Sequence, residues 1–182
     1  MRYTDYLRWG VLAGLFLVLF VPFIIADGGG SSHGLYIPFA NMFFPFITGK
    51  NFAFRIIIEL SLLCYALLAL REPKYRPRGS WLMWAALAFV AWMGVATAFS
   101  VDPIKSFWSN FERMEGYVSL LHMLAWFVMA GAVLTADNLW NRFINVSIAA
   151  SAAMGFNALL QLLHVVAISS QSGARVDTTF GN

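Results

Sequence analysis

Five long apolar runs, Trp9 to Ile25, Ala53 to Leu70, Trp81 to Phe99, Tyr117 to Leu134 and Ile144 to Ser169, fill this chain of 182 residues and are parted by short polar clusters. Each approaches the ~20 residues that a helix rising ~1.5 Å per residue needs to cross ~30 Å of hydrocarbon. Hydrocarbon offers no water to an open backbone, so every N–H and C=O in such a run must be bonded within its own segment, which selects helices. The runs therefore predict an all-α, polytopic membrane bundle of about five transmembrane helices. It forms a single domain over residues 1–182, with the two ends on opposite sides. Hydrophobic residues make up 60% of the chain and charged residues 12%, against ~45–50% and ~25% in soluble domains, which excludes a water-soluble fold.

The formal charge of +3 does not indicate a nucleic-acid partner, because the basic residues are divided among the connections and form no continuous face. One connection is densely basic: Arg71, Lys74, Arg76 and Arg78 are opposed by Glu72 alone and stiffened by Pro73 and Pro77. The positive-inside rule makes it cytoplasmic. Counting from it puts Met1 and residues 135–143 inside, and residues 26–52, residues 100–116 and the carboxy end outside. Arg2 and Arg8 agree. Arg2, Arg8 and Ala26 imitate a secretory signal, but the run is long for a signal core and Ile24 misfits the cleavage pattern, so a retained anchor is expected. The first external connection begins with a flexible tract, Asp27 to Ser32, and turns apolar from Leu35 to Ile47. Pro38 and Pro45 oppose a straight span there, so an interfacial or re-entrant segment is expected. Trp9, Trp81, Tyr117 and Trp140 stand at run ends, as an anchoring aromatic belt requires.

Several residues inside or beside the runs can carry chemistry. Arg55 and Glu59 lie four apart on one helix face, and an intramembrane charge costs ~2.5–3.5 kcal/mol on insertion scales. They make either a structural ion pair with Arg55 reaching the headgroups, or part of an externally open polar cavity. Residues 102–117 mix aromatic side chains with both charges, so Lys105 or Arg113 can offer a fork or point charge to a phosphate, or simply be solvated. In the last run Asn157, Gln161 and His164 form a polar stripe suited to interhelical hydrogen bonds. Ser147, Ser151 and Gly155 form a small-residue seam that lets another helix approach closely. His164 sits toward the outer end; His122 has a weaker claim, since no strongly polar side chain shares its own helix face. Cys64 is the single cysteine, a small apolar residue with no disulfide partner. No phosphate-cradling glycine loop, paired Cys or His at ligand spacing, or helical His-Glu-x-x-His is present, so no metal or nucleotide cofactor is expected.

Three stretches carry a more specific likeness. They are Phe44 to Phe52 with Arg55 and Glu59, then Ser106-Phe107-Trp108-Ser109-Asn110-Phe111-Glu112-Arg113-Met114-Glu115-Gly116, and finally Arg175-Val176-Asp177-Thr178-Thr179-Phe180-Gly181-Asn182. Over most of its length the chain resembles the amino-terminal half of bacterial O-antigen ligase and polymerase-like membrane proteins. The resemblance implies a glycosyltransferase of the bacterial cytoplasmic membrane. Its substrate would be a glycan on undecaprenyl diphosphate, handled at an outward-facing site without cofactor, the glycan acceptor being unspecified. Arg175, Arg113 and Arg55 would contact the diphosphate, with Glu59 and His164 in support, and the three arginines would border one pocket. Members of that family continue past the point corresponding to Asn182 into further helices and a large external loop that holds the histidine base. The expectation is thus an amino-terminal fragment, inactive alone, with a surface awaiting the missing carboxy-terminal helices. Two other classes compete: a lipid-linked glycan flippase or transporter, which needs an ionisable path through both leaflets, and a non-catalytic membrane scaffold built on the small-residue seam.

Overall fold

A computed structural model describes residues 3–24, 48–110 and 115–163. Among them the chain is all-helical, in the order α1 (Tyr3–Leu17, continued as a 3₁₀ segment Val18–Phe23), α2 (Thr48–Arg71), α3 (Trp81–Ala98), the short α4 (Pro103–Trp108), α5 (Tyr117–Val133) and α6 (Asp137–Leu162). The protein is a membrane-embedded helical bundle. Four of its helices are long and apolar enough to cross a bilayer, namely α1 with its 3₁₀ extension, α2, α3 and α6. The fifth expected span, α5, has 17 residues, about 25 Å of rise. It lies among α1, α2 and α3, where neighbouring helices shelter its ends and lipid need not match its length.

Helix starts depart from the apolar runs. α2 begins at Thr48 and α6 at Asp137, well before Ala53 and Ile144, so most of the expected polar connection over residues 135–143 is the first turns of α6. Hydropathy marks contact with hydrocarbon, whereas polar residues such as Asn138 and Arg142 continue a helix beyond it. α1 tightens where Pro22 lies inside the 3₁₀ segment, because proline lacks the N–H that the α-helical ladder would use. Asp102 begins α4 by accepting from Lys105 N at 3.0 Å, and Ser80 begins α3 by accepting from Met83 N at 3.1 Å; both are N-cap bonds. The expected interfacial segment at residues 35–47 lies outside the described residues.

The core gathers Leu7, Val11 and Leu15 of α1, Ile58 and Leu68 of α2, and Met129 and Val133 of α5. Lipid tails are as apolar as these side chains, so close approach holds the helices more than hydrophobicity does. Gly10 faces Cys64 and Gly14 faces Ser61, which makes α1 and α2 antiparallel; a Cβ on Gly14 would stand 2.9 Å from Ser61 Cβ. The seam expected at Ser147, Ser151 and Gly155 is not where this contact occurs. Ser151 and Gly155 are exposed, and a Cβ on Gly155 would meet open space. Tyr117 joins α3 to α5 by donating to Val90 O at 3.0 Å.

Candidate functional site: a polar ladder between α2 and α5

α2 presents Asn51, Arg55 and Glu59 at intervals of four, one helix face. α5 runs parallel beside it, and from the same end come Glu115, just before its N-cap, and Ser119 and His122 within it. Three rungs join them: Asn51 Nδ2 to Glu115 Oε1 at 3.5 Å, Arg55 Nη2 to Ser119 Oγ at 3.2 Å, and His122 Nε2 to Glu59 Oε1 at 3.2 Å. Each spans 63 or 64 residues of sequence. Arg55 is 9% exposed, so its side chain is held within the bundle.

Glu59 attracts Arg55 electrostatically along α2, and each also bonds across to α5, Arg55 to Ser119 and Glu59 to His122. His122 acquires a charged companion from the neighbouring helix. Its Nδ1 lies 2.7 Å from Val118 O, a contact that requires Nδ1 to carry hydrogen. Nε2 then faces the Glu59 carboxylate, and the contact needs a proton between them, bound either to the imidazole or to the carboxyl. The His122 side chain is 11% exposed and that of Glu59 66%, so the carboxyl group is the open side of this rung.

Beside the ladder, α3, α4 and the start of α5 enclose an open cleft of about 450 Å³. Met93, Ala96 and Leu120 supply apolar wall; Thr97, Ser106, Glu115 and Tyr117 supply polar groups. Glu115 thus belongs to both the first rung and the cleft. Gly116 lets α4 lie against the beginning of α5, since a Cβ there would stand 2.6 Å from the carbonyl carbon of Phe107 and 2.7 Å from Ser109 N.

Of the residues singled out from sequence, the structure brings Arg55 and Glu59 onto one ladder. Arg113, Arg175 and His164 lie outside the described residues. In the α6 stripe Gln161 is 8% exposed, and Asn157 Oδ1 is buried with no hydrogen-bond partner among the described residues. Sequence reading missed Asn51, Ser119 and Glu115 as ladder members, though Ser119 and His122 stand at the three-residue spacing that shares a face. Among the described residues no group of three or more His, Cys, Asp or Glu is placed to hold a metal ion. No family model, curated protein or solved structure matches this chain.

Proposed function

We propose that this chain is part of a membrane glycosyltransferase of the O-antigen ligase or polymerase type, acting on a glycan carried by undecaprenyl diphosphate at the outer side of the bacterial cytoplasmic membrane. The observation that carries the reading is Arg55, a cation buried in an apolar bundle and oriented by Ser119 at 3.2 Å. An ionisable residue at such a place is costly and marks a functional site by default. Glu59 adds to it: a carboxyl group at the twelfth of 24 helical positions with 66% of its side chain exposed belongs against protein or a polar ligand, not lipid.

In the reaction, an acceptor hydroxyl oxygen bonds to the anomeric carbon as the bond from that carbon to the diphosphate oxygen breaks. The diphosphate leaves with the electron pair, and a base takes the hydroxyl proton. Fixed guanidinium groups lower the barrier by meeting the charge that grows on the leaving group. By the resemblance, Arg175 is the principal diphosphate contact, with Arg113 and Arg55 beside it and His164 in support. The ladder from Asn51 to Glu59 covers about 12 Å of helix rise, about two-fifths of the ~30 Å that a path through both leaflets would use, and this favours the transferase over a flippase. In full-length protein reconstituted with lipid-linked glycan, Arg175→Ala is expected to abolish transfer and Arg55→Ala to reduce it at least ~10-fold, as loss of a charge-stabilising donor does. Undiminished turnover in both would remove the assignment.

A further inference from the structure

The turn between α2 and α3 gathers charge of one sign and is folded so as to hold it in place. Arg71, Lys74, Arg76 and Arg78 stand there against Glu72, a surplus of three positive charges, and all four cations are exposed. Pro73–Tyr75 form a 3₁₀ segment, in which Tyr75 N donates to Glu72 O and Arg76 N to Pro73 O, each at 3.1 Å. Tyr75 turns into the bundle, buried and part of the core, and its carbonyl accepts from Tyr65 OH at 3.0 Å. The middle of the turn is thereby pinned to α2, and the cations on either side of Tyr75 are carried by a fixed backbone.

That backbone decides which cations are offered outward. Lys74 closes an ion pair with Glu72 at 2.8 Å and lies 4.8 Å over the Tyr75 ring, so the one acid of the turn is answered by one base. Among the described residues no acidic group forms an ion pair with Arg71, Arg76 or Arg78. Arg76 Nε donates to Ala69 O at 3.3 Å, one of the last-turn carbonyls that a helix leaves without an internal partner. The bond spends one of the five N–H groups of the guanidinium, holds the group over the carboxy end of α2, and offsets the negative end of the helix dipole, which would otherwise oppose an anion. α1, antiparallel to α2, brings Asp5 and Arg8 to this end, one charge of each sign, so the surplus stays with the turn. Depth is set by the two helices that meet here, each long and apolar enough to cross a bilayer. Immediately behind the cations, Leu70 of α2 and Leu82 of α3 are exposed, as are Trp81 and Trp84, indoles of the kind that mark the headgroup level. Guanidinium groups thus stand just outside exposed leucines.

We propose that the α2–α3 turn is a docking surface for an anionic phospholipid, of phosphatidylglycerol chemistry. The lipid phosphate meets the Arg76 guanidinium, with Arg71 and Arg78 flanking it, and an acyl chain lies on Leu70 and Leu82. A topological signal would need only the charges; a turn pinned through Tyr75 and an arginine fixed on Ala69 O are what a headgroup site needs in addition, because a held guanidinium loses less freedom when a phosphate binds. The site lies at the other end of α2 from Asn51 and Arg55, and it stands whether or not glycan transfer is the right reaction.

The test places the full chain in nanodiscs containing phosphatidylglycerol, phosphatidylethanolamine and phosphatidylcholine in equal amounts and with identical acyl chains, followed by detergent washing and mass spectrometry of the retained lipid. Both leaflets carry the same mixture, so the comparison does not depend on which way the chain faces. A basic residue near an anionic lipid surface is worth about fivefold in binding, and phosphatidylglycerol is expected to be retained at least about fivefold over either zwitterionic lipid. Arg76→Gln with Arg78→Gln should erase most of that preference in a protein of unchanged helicity. Glu72→Gln, which removes the one acid and releases Lys74, should raise phosphatidylglycerol retention by about fivefold. Equal retention of the three lipids by the unaltered chain overturns the proposal, and a preference that survives Arg76→Gln with Arg78→Gln moves the site elsewhere and overturns it as well. Displacement of the retained lipid by soluble glycerol phosphate at matching concentration would make the turn a site for free phosphate and would equally end the lipid reading. The comparison among lipids and the gain expected from Glu72→Gln decide the matter even if the double variant fails to fold.

Discussion

The rung between Glu59 and His122 makes a quantitative prediction. With Nδ1 of the imidazole committed to Val118 O at 2.7 Å, the 3.2 Å contact to Glu59 Oε1 depends on one proton that either partner can hold. Interhelical hydrogen bonds in membranes average ~0.6 kcal/mol and reach ~1.7 kcal/mol in double-mutant cycles. The Glu59 side chain is 66% exposed and the histidine 11%, so the carboxyl has little else to bond within the described bundle, and the coupling should lie toward the upper figure. In a cycle of Glu59→Ala, His122→Ala and the double variant, unfolding in mixed micelles by a denaturing detergent should return a coupling of about 1–1.7 kcal/mol. Glu59→Gln should cost less than about 0.5 kcal/mol, because the amide donates to a neutral Nε2 and replaces the shared proton with a fixed N–H. Nitrogen NMR on the same proteins reads the tautomer directly, with Nδ1 protonated throughout. A coupling within about 0.3 kcal/mol of zero, the error of such cycles, would refute the rung. A histidine protonated only on Nε2 would refute the proton argument even if the coupling survived.

Other measurements bear on the bundle and its orientation. Gly14→Ala should destabilise the α1–α2 contact by about 1–3 kcal/mol through overpacking on Ser61, whereas Gly155→Ala, facing open space, should be neutral or stabilise by up to ~1 kcal/mol through helix propensity; detergent unfolding midpoints moving in the same direction would remove the close approach from α1. In a Cys64→Ser background, an impermeant maleimide should label Gly79→Cys from the cytoplasmic face and Asn110→Cys from the outer face. The reverse pattern would turn the ladder toward the cytosol and end the glycan-transfer reading with it.

How far the site could be read from sequence depends on which distances hydropathy encodes. The apolar runs were legible because hydrocarbon imposes a length, and Arg55 with Glu59 was legible as one face because four residues make about one turn. The partners were hidden, since nothing local to α2 points to Ser119 or His122. The same limit explains the misplaced close contact. Gly10 and Gly14 have the same four-residue spacing as Ser151 and Gly155, and only the opposing helix, which brings Ser61 and Cys64 to the first pair, tells them apart.

A relation among the runs did encode the ladder. The second run begins at Ala53 and the fourth at Tyr117, and since one crossing lies between them they must pass through the bilayer in the same direction. Residues equally far from those starts then lie at equal depth, and the offset between the starts is the 64 residues found in the first two rungs. Matching depths sets Asn51 with Glu115, Arg55 with Ser119 and Glu59 one residue from His122 before any coordinates are known. Hydrocarbon makes such matching strict, because a polar side chain at mid-span finds few partners except those at its own level. What depth cannot supply is which same-direction helices touch. Here contact geometry made the choice: Gly14 brings α2 close to α1, α1 also touches α5, and α2 and α5 are thereby brought side by side. A glycine with no polar chemistry thus helps place a buried arginine against its serine, so Gly14→Ala should weaken the Arg55–Ser119 rung as well as the contact it directly disturbs.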